Sequence, residues 1–201
     1  MEITAEKIMQ QLSAGTQVAG VIAVFGEEGY YKDKIAAALP RAVFGDAAPE
    51  DREITVFERD TDIKEISAAV NTYPFFSGRS LVIIKDEKLW GGKDGGEKRK
   101  QQQEELAELL ADVPEHCQVL LLGEKIDKRG KLYKSLLKTA AMVECKSLKS
   151  YQLKPWLDEQ AALRGCRFDY EASQTIMEYL SVTDNAPLLL LEQEIEKLSV
   201  Y

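Results

Sequence analysis

The sequence predicts an α/β fold: a five-stranded parallel sheet with helices on both faces, followed by a small all-helical domain. Five short apolar runs alternate with segments of helical composition, which is the pattern of a parallel sheet. The alternation stops after Leu148, and only helical stripes follow. The 201 residues suffice for one medium domain and a small second one, and 45% apolar with 30% charged residues is an ordinary globular balance.

The elements follow in order. Lys7 to Leu12 is amphipathic and predicts an opening helix. Val21 to Phe25 is wholly apolar, ends at Gly26, and suits a strand buried on both faces. Tyr30 to Leu39 has helical composition and is expected to stop before Pro40. Glu53 to Phe57 is the second strand, and the spacing of Ile63, Ile66 and Val70 marks a helix. Leu81 to Ile84 is the third strand. Gly91 to Gly96 is a polar, glycine-rich loop, expected to be mobile. A helix over Gln101 to Ala111 buries Leu106, Leu109 and Leu110. Cys117 to Leu122 is the fourth strand, Lys131 to Lys138 a helix, and Ala141 to Cys145 the fifth strand. Three stripes come next: Leu153, Trp156, Leu157 and Ala161; then Ile176, Met177 and Leu180; then Leu188, Leu191, Ile195 and Leu198. The domains are therefore expected at 1–146 and 147–201, with no internal repeat. The chain ends at Tyr201 just after an apolar stripe, without a natural cap, and is expected to be a fragment.

Composition excludes several classes. A formal net charge of -8 repels nucleic acid and acidic membranes, so a DNA contact needs a local basic patch or a partner chain. Met1 to Lys7 has neither a basic nor an apolar signal region. The apolar runs Val119 to Leu122 and Leu188 to Leu191 are far too short to span a bilayer. Cys117, Cys145 and Cys166 form no CxxC pair, and read as buried free thiols in a reducing cytoplasm.

A strand, a glycine turn and a helix at the front of an α/β domain is the layout of a phosphate-binding loop. That loop needs G-x-x-x-x-G-K-[ST]: glycines to admit backbone donors, Lys to neutralise phosphate, and Ser or Thr to hold magnesium. Here the segment is Gly26-Glu27-Glu28-Gly29-Tyr30-Tyr31-Lys32. The second glycine comes too early, and no Gly-Lys-Ser/Thr follows. Glu27 and Glu28 stand where phosphates would lie and are expected to satisfy the free donors of the helix N-terminus themselves. Tyr30 and Tyr31 add bulk. Gly26, Glu27, Glu28 and Gly29 are thus read as a degenerate phosphate loop that binds no nucleotide. Leu81 to Glu87 imitates an apolar strand followed by a magnesium-binding acid pair, but Lys85 intrudes and displaces Asp86 by one position, to the other face. His116 is the only histidine, which excludes a triad or a histidine-based metal site, and reads as a surface loop residue. No catalytic residue, cofactor or metal is expected.

Tyr73-Pro74-Phe75-Phe76-Ser77-Gly78-Arg79 lies between a helix and the third strand. Pro74 and Gly78 mark a loop. The two phenylalanines either fold inward as a plug or form a hydrophobic wedge offered to a partner. As a wedge, each would contribute roughly 1.5–3 kcal/mol on burial and act as an interface hot spot.

Several stretches then combine: Val24-Phe25-Gly26-Glu27-Glu28, Pro74-Phe75-Phe76-Ser77-Gly78-Arg79-Ser80-Leu81-Val82, Lys125-Ile126-Asp127-Lys128-Arg129-Gly130-Lys131-Leu132, Val143-Glu144-Cys145-Lys146 and Leu191-Glu192-Gln193-Glu194-Ile195-Glu196-Lys197-Leu198. In this order they resemble the delta subunits of bacterial DNA polymerase III, components of the sliding-clamp loader. The resemblance implies an AAA+-like (P-loop-type) α/β domain with a three-helix lid, in a polymerase holoenzyme subunit whose catalysis resides in other chains. It implies no ATP hydrolysis; the family grips the ring-shaped clamp, the beta subunit, and helps open it. Two adjacent apolar residues of this loop enter a hydrophobic pocket on the clamp in the family. Phe75 and Phe76 hold that place here, with Tyr73, Pro74 and Arg79 beside them. ATPase relatives carry Ser-Arg-Cys at the end of the fifth strand, where this chain has Val143-Glu144-Cys145, so no arginine finger is expected. The resemblance also implies a C-terminal collar domain that joins the other loader subunits and is expected to lie outside these 201 residues. DNA would be met indirectly, and no membrane is involved.

Lys125, Lys128, Arg129, Lys131, Lys134 and Lys138 form a basic cluster. It reads first as a solvated helix face; Lys128, Arg129 and Lys131 are the candidates for a DNA or clamp contact. Two other functions stay open on the residues alone. One is a divergent P-loop-type NTPase, and the other a nucleic-acid module using the 125–138 cluster.

Overall fold

The computed structural model describes residues 1–16, 18–59, 61–85, 89, 96–181 and 188–200, without the side chains of residues 98, 99 and 181. Asp86, Glu87 and residues 91–95 of the glycine-rich loop lie outside them. The chain divides into two compact units, Met1–Cys145 and Lys146–Tyr201.

The first unit begins with α1 (Ala5–Ser13), whose first turn is capped by the Thr4 side chain accepting the Lys7 N–H. Next come β1 (Val21–Phe25), α2 (Gly29–Phe44), a short 3-10 turn at Pro49–Asp51, β2 (Glu53–Phe57), α3 (Ile63–Asn71) and β3 (Ser80–Ile84). They are followed by α4 (Glu97–Ala111), β4 (Cys117–Gly123), α5 (Lys131–Thr139) and β5 (Ala140–Glu144). The strands form one parallel sheet in the order β2-β3-β4-β1-β5. Because successive strand residues alternate between faces, Val21, Ala23 and Phe25 pack with Ile66, Leu106, Leu110 and Leu136 of α3, α4 and α5. Ile22 and Val24 point the other way, toward the side where α1 and α2 pack. This two-sided burial explains why β1 and β3 are buried throughout and why Val21 to Phe25 and Leu81 to Ile84 read as unbroken apolar runs.

The edges differ. Along β5 the first residues of the chain add a bridge: Ile3 N–H donates to Met142 O and Met142 N–H to Met1 O, both at 2.9 Å. Among the described residues β2 pairs with β3 alone, and Ile54 and Val56 are exposed on it.

The second unit holds α6 (Ser150–Leu163), α7 (Tyr170–Ser181) and α8 (Leu188–Ser199). Leu153, Trp156, Leu157, Ala161, Leu180, Leu188 and Ile195 form its core. Arg164, just after α6, pairs with the nearly buried Glu192 of α8 at 3.2 Å.

Some expectations change. Helix α2 does not stop before Pro40 but carries it internally. The proline forfeits one backbone bond, yet Val43 and Phe44 beyond it are buried, and their packing keeps the helix going. Helix α4 starts four residues early at Glu97, in a polar turn without an apolar stripe but rich in helix formers. Strand β5 is shifted by one residue to Ala140–Glu144. Cys166 is exposed, not buried, because it follows the turn at Gly165. Leu198 is exposed as well: the buried axis of α8 runs through Leu188, Glu192 and Ile195, and Leu198 lies roughly 90° from it.

Candidate functional site

The loop from Tyr73 to Arg79 joins α3 to β3 and so lies at the amino end of the parallel strands. Both phenylalanine rings face solvent: Phe75 is 87% and Phe76 66% exposed. They meet edge to face with centroids 5.0 Å apart. Neither is the inward plug. That part falls to Pro74, which is buried although its neighbours are not. Tyr73 is exposed on one side, and its ring lies 5.1 Å from His116. Ser77 Oγ donates to Arg79 O at 2.7 Å, and Gly78 takes a φ of +66° that favours glycine. The Glu53 carboxylate accepts the N–H groups of Phe75 at 2.6 Å and Phe76 at 3.1 Å. Arg79 is exposed and, with Ser77, Thr16, Phe44, Glu115 and Gln118, helps line a cavity of about 790 Å³ at the same end of the sheet.

Gly26 to Gly29, read from the sequence as a degenerate phosphate loop, lie at the opposite, carboxyl end. There the Glu28 carboxylate accepts the Tyr30 N–H at 2.9 Å, capping α2 as an external anion would. The Glu28 N–H donates to Cys145 O at 3.2 Å, and the Cys145 N–H to Phe25 O at 2.6 Å. Lys32 Nζ donates to Gly26 O at 2.8 Å. Glu27, in contrast, is exposed. Gly26 has a φ of +132°, and a Cβ there would come within 1.9 Å of Cys145 O, so the turn is pressed against the end of β5. Tyr30 and Tyr31 are buried edge to face with each other. Burial pushes the Cys145 thiol up to about 12, so it stays neutral and unreactive.

The family model "DNA polymerase III, delta subunit" matches residues 25–146. The chain belongs to the DNA polymerase III delta subunit family. It is 28% identical over 188 residues to DNA polymerase III subunit delta of Bacillus subtilis (strain 168), covering 92% of this chain and 53% of that protein. The solved structure of the Bacillus subtilis DNA clamp loader delta protein is similar with a TM-score of 0.75 at 26% identity, covering 98% of this chain and 57% of that one. The chain thus spans little more than half the length of these relatives. The stretch matched to the delta subunit family contains both Gly26 to Gly29 and Tyr73 to Arg79.

Two members of the basic cluster, which is also inside the family match, are turned to internal pairs. Lys128 Nζ lies 2.8 Å from Glu144 Oε1 and 5.8 Å from the Phe25 ring centroid, and the bond to Glu144 raises the lysine pKa. Lys131 Nζ pairs with Glu104 at 2.7 Å. Arg129 is exposed, and its backbone N–H donates to Asp127. Glu144, at the position compared with an arginine finger, is therefore the partner of Lys128. Among the described residues no cluster of His, Cys, Asp or Glu is suited to hold a metal, and no helix is long and apolar enough to cross a membrane.

Sequence reasoning missed Glu53 and the contact that His116 makes with Tyr73. Glu53 lies twenty-two residues before Phe75, and only the pairing of β2 with β3 brings it to the loop. His116 does lie in the turn before β4, but it is half-buried against Tyr73, and its backbone oxygen accepts the Ser80 N–H at 2.8 Å.

Proposed function

We propose that this chain grips the ring-shaped DNA sliding clamp through Phe75 and Phe76 and helps open it, without hydrolysing ATP. The observation that carries the reading is the exposure of both rings, 87% and 66%, on a loop whose backbone is tied down. Large apolar side chains left in water are the anchors that interfaces bury. Tyr73 and Arg79 flank them in the open, while Pro74 contributes from below by anchoring the loop. Membership of the delta subunit family adds the context of a loader that serves a polymerase. Catalysis then resides in other chains, the other loader subunits join through a further domain, DNA is met indirectly, and the setting is cytoplasmic. The absence of ATP hydrolysis is supported by Glu28, which occupies the helix terminus where a phosphate would sit.

The test is the affinity of the chain for the sliding clamp. The double variant Phe75→Ala, Phe76→Ala is expected to lose at least about 2 kcal/mol of binding. Unchanged affinity would remove the wedge. Calorimetry with magnesium and ATP is expected to show no binding at micromolar concentrations, and a micromolar constant would favour an NTPase instead.

A further inference from the structure

The rings of Phe75 and Phe76 have little of the protein around them, so something other than side-chain packing must set their direction. Their backbone offers the means. Glu53 opens β2, in register with Ser80, the first residue of β3. This register brings its carboxylate beside the loop that leads into β3. A single oxygen, Oε1, then receives both the Phe75 N–H and the Phe76 N–H, at 2.6 and 3.1 Å. Two consecutive amides converging on one anion form a small nest. Bonds to an ionised acceptor are shorter and roughly twice as strong as neutral ones. With both amides directed at Glu53, the two side chains are left to project outward, and their edge-to-face contact at 5.0 Å holds them as one unit.

We propose that Glu53 is the positioning residue of the wedge. It fixes the backbone of Phe75 and Phe76 in the displayed conformation before a partner arrives, so that less ordering is left to be done on binding. Preorganisation of this kind raises affinity without adding a contact. The role rests on the reading of Phe75 and Phe76 as the clamp-binding pair. Removing Glu53 leaves Pro74, Tyr73 with His116, and Gly78 in place, so the loop stays attached but its tip loses its fixed direction.

The experiment compares Glu53→Ala, Glu53→Gln, Phe75→Ala with Phe76→Ala, and the combination of Glu53→Ala with both, all in the 201-residue chain. Three quantities are read: the thermal midpoint, the exchange rates of the Phe75 and Phe76 amide protons by NMR, and the dissociation constant for the sliding clamp. For Glu53→Ala the midpoint is expected to move by no more than about 2 °C, the two amides to exchange at least about tenfold faster, and clamp binding to weaken about tenfold. Glu53→Gln keeps a neutral acceptor and should fall between it and the parent. In the chain lacking both rings, Glu53→Ala should cost no further affinity, because there is nothing left to position.

If affinity is lost on removing the rings but Glu53→Ala leaves affinity or amide exchange unmoved, the positioning role is overturned and the wedge stands. If the Glu53→Ala loss persists in full without the rings, Glu53 touches the clamp directly and the role is likewise overturned. Affinity that ignores the loss of both rings overturns the wedge itself. The amide exchange rates then still decide whether Glu53 holds the loop.

Discussion

At the carboxyl end of the sheet the turn at Gly26 is closed by internal bonds, Glu28 to Cys145 and Tyr30, Cys145 to Phe25 and Lys32 to Gly26 itself, whereas at the amino end Phe75 and Phe76 are left in solvent. In open α/β sheets the crevice beyond the carboxyl ends of the strands is the usual place for a ligand. Here that place is occupied by the protein's own groups. A carboxylate caps the helix, a lysine turns back onto the carbonyl of Gly26, and the glycine turn lies against the end of β5. The outward-facing chemistry has moved to the other end, where the loop before β3 carries two aromatic rings over a buried proline and a carboxylate. On the proposed reading one end contributes to stability and the other to binding. Substitutions at the two ends should therefore change different measurements.

The largest effect is expected at Gly26. A methyl group there meets Cys145 O at 1.9 Å and must adopt a φ of +132°. Gly26→Ala should destabilise by at least about 3 kcal/mol and lower the thermal midpoint by about 10 °C. A midpoint within about 2 °C of the parent would mean that the carboxyl end is not closed in this way. The next effect belongs to the amino end. Phe75→Ala with Phe76→Ala should leave stability within about 0.5 kcal/mol while clamp affinity falls by at least about 2 kcal/mol. A clear drop in thermal midpoint would show the rings to be packed, and the contrast between the ends would fail.

The difference between the ends also governs how much was legible in the sequence. Strands β1 and β3 are apolar on both faces, so Val21 to Phe25 and Leu81 to Ile84 announce themselves. The cap at Glu28 was legible because its chemistry is local: Glu28 caps a helix that starts one residue later. The aromatic pair was legible between Pro74 and Gly78, but its exposure was not, since a loop phenylalanine is as able to turn inward as outward. Glu53 and His116 were hidden for a topological reason. Each reaches the loop through sheet pairing across at least twenty residues, and no short-range pattern records that. Pro40 misled because the local rule against proline in a helix was outweighed by burial further along α2. Glu192 shows the same override: a charged residue is nearly buried on α8 because Arg164 meets it.

A smaller effect sharpens the reading of the carboxyl end. Glu28→Ala removes the side chain that accepts the Tyr30 N–H and should cost about 1 kcal/mol. The same substitution frees the helix terminus for an outside anion. If the end is closed by its other bonds as well, millimolar magnesium and ATP should not restore the lost stability. Recovery of the thermal midpoint on adding nucleotide would show that Glu28 alone had been blocking a usable phosphate site.

The smallest effect is expected at Lys128. Its ammonium group pairs with Glu144 at 2.8 Å, but both side chains are substantially exposed, so the pair should be worth less than about 1 kcal/mol and weaken with added salt. The bond to Glu144 is the main reason the lysine pKa is raised. A raised lysine pKa means the folded state holds the proton more tightly than the unfolded one. The contribution is therefore complete at neutral pH and is lost only as the pH climbs from the ordinary lysine value of about 10.4 through the raised one. A double-mutant cycle of Lys128→Met and Glu144→Gln should accordingly give a small coupling at pH 7 that vanishes in strong alkali. The same variants test the basic cluster as a nucleic-acid surface. A lysine engaged by Glu144 has little to give a phosphate, so Lys128→Met should leave the salt dependence of any DNA binding by this chain unchanged. A salt slope reduced by about 1 would instead assign Lys128 to a phosphate contact and return an outward-facing function to the carboxyl end.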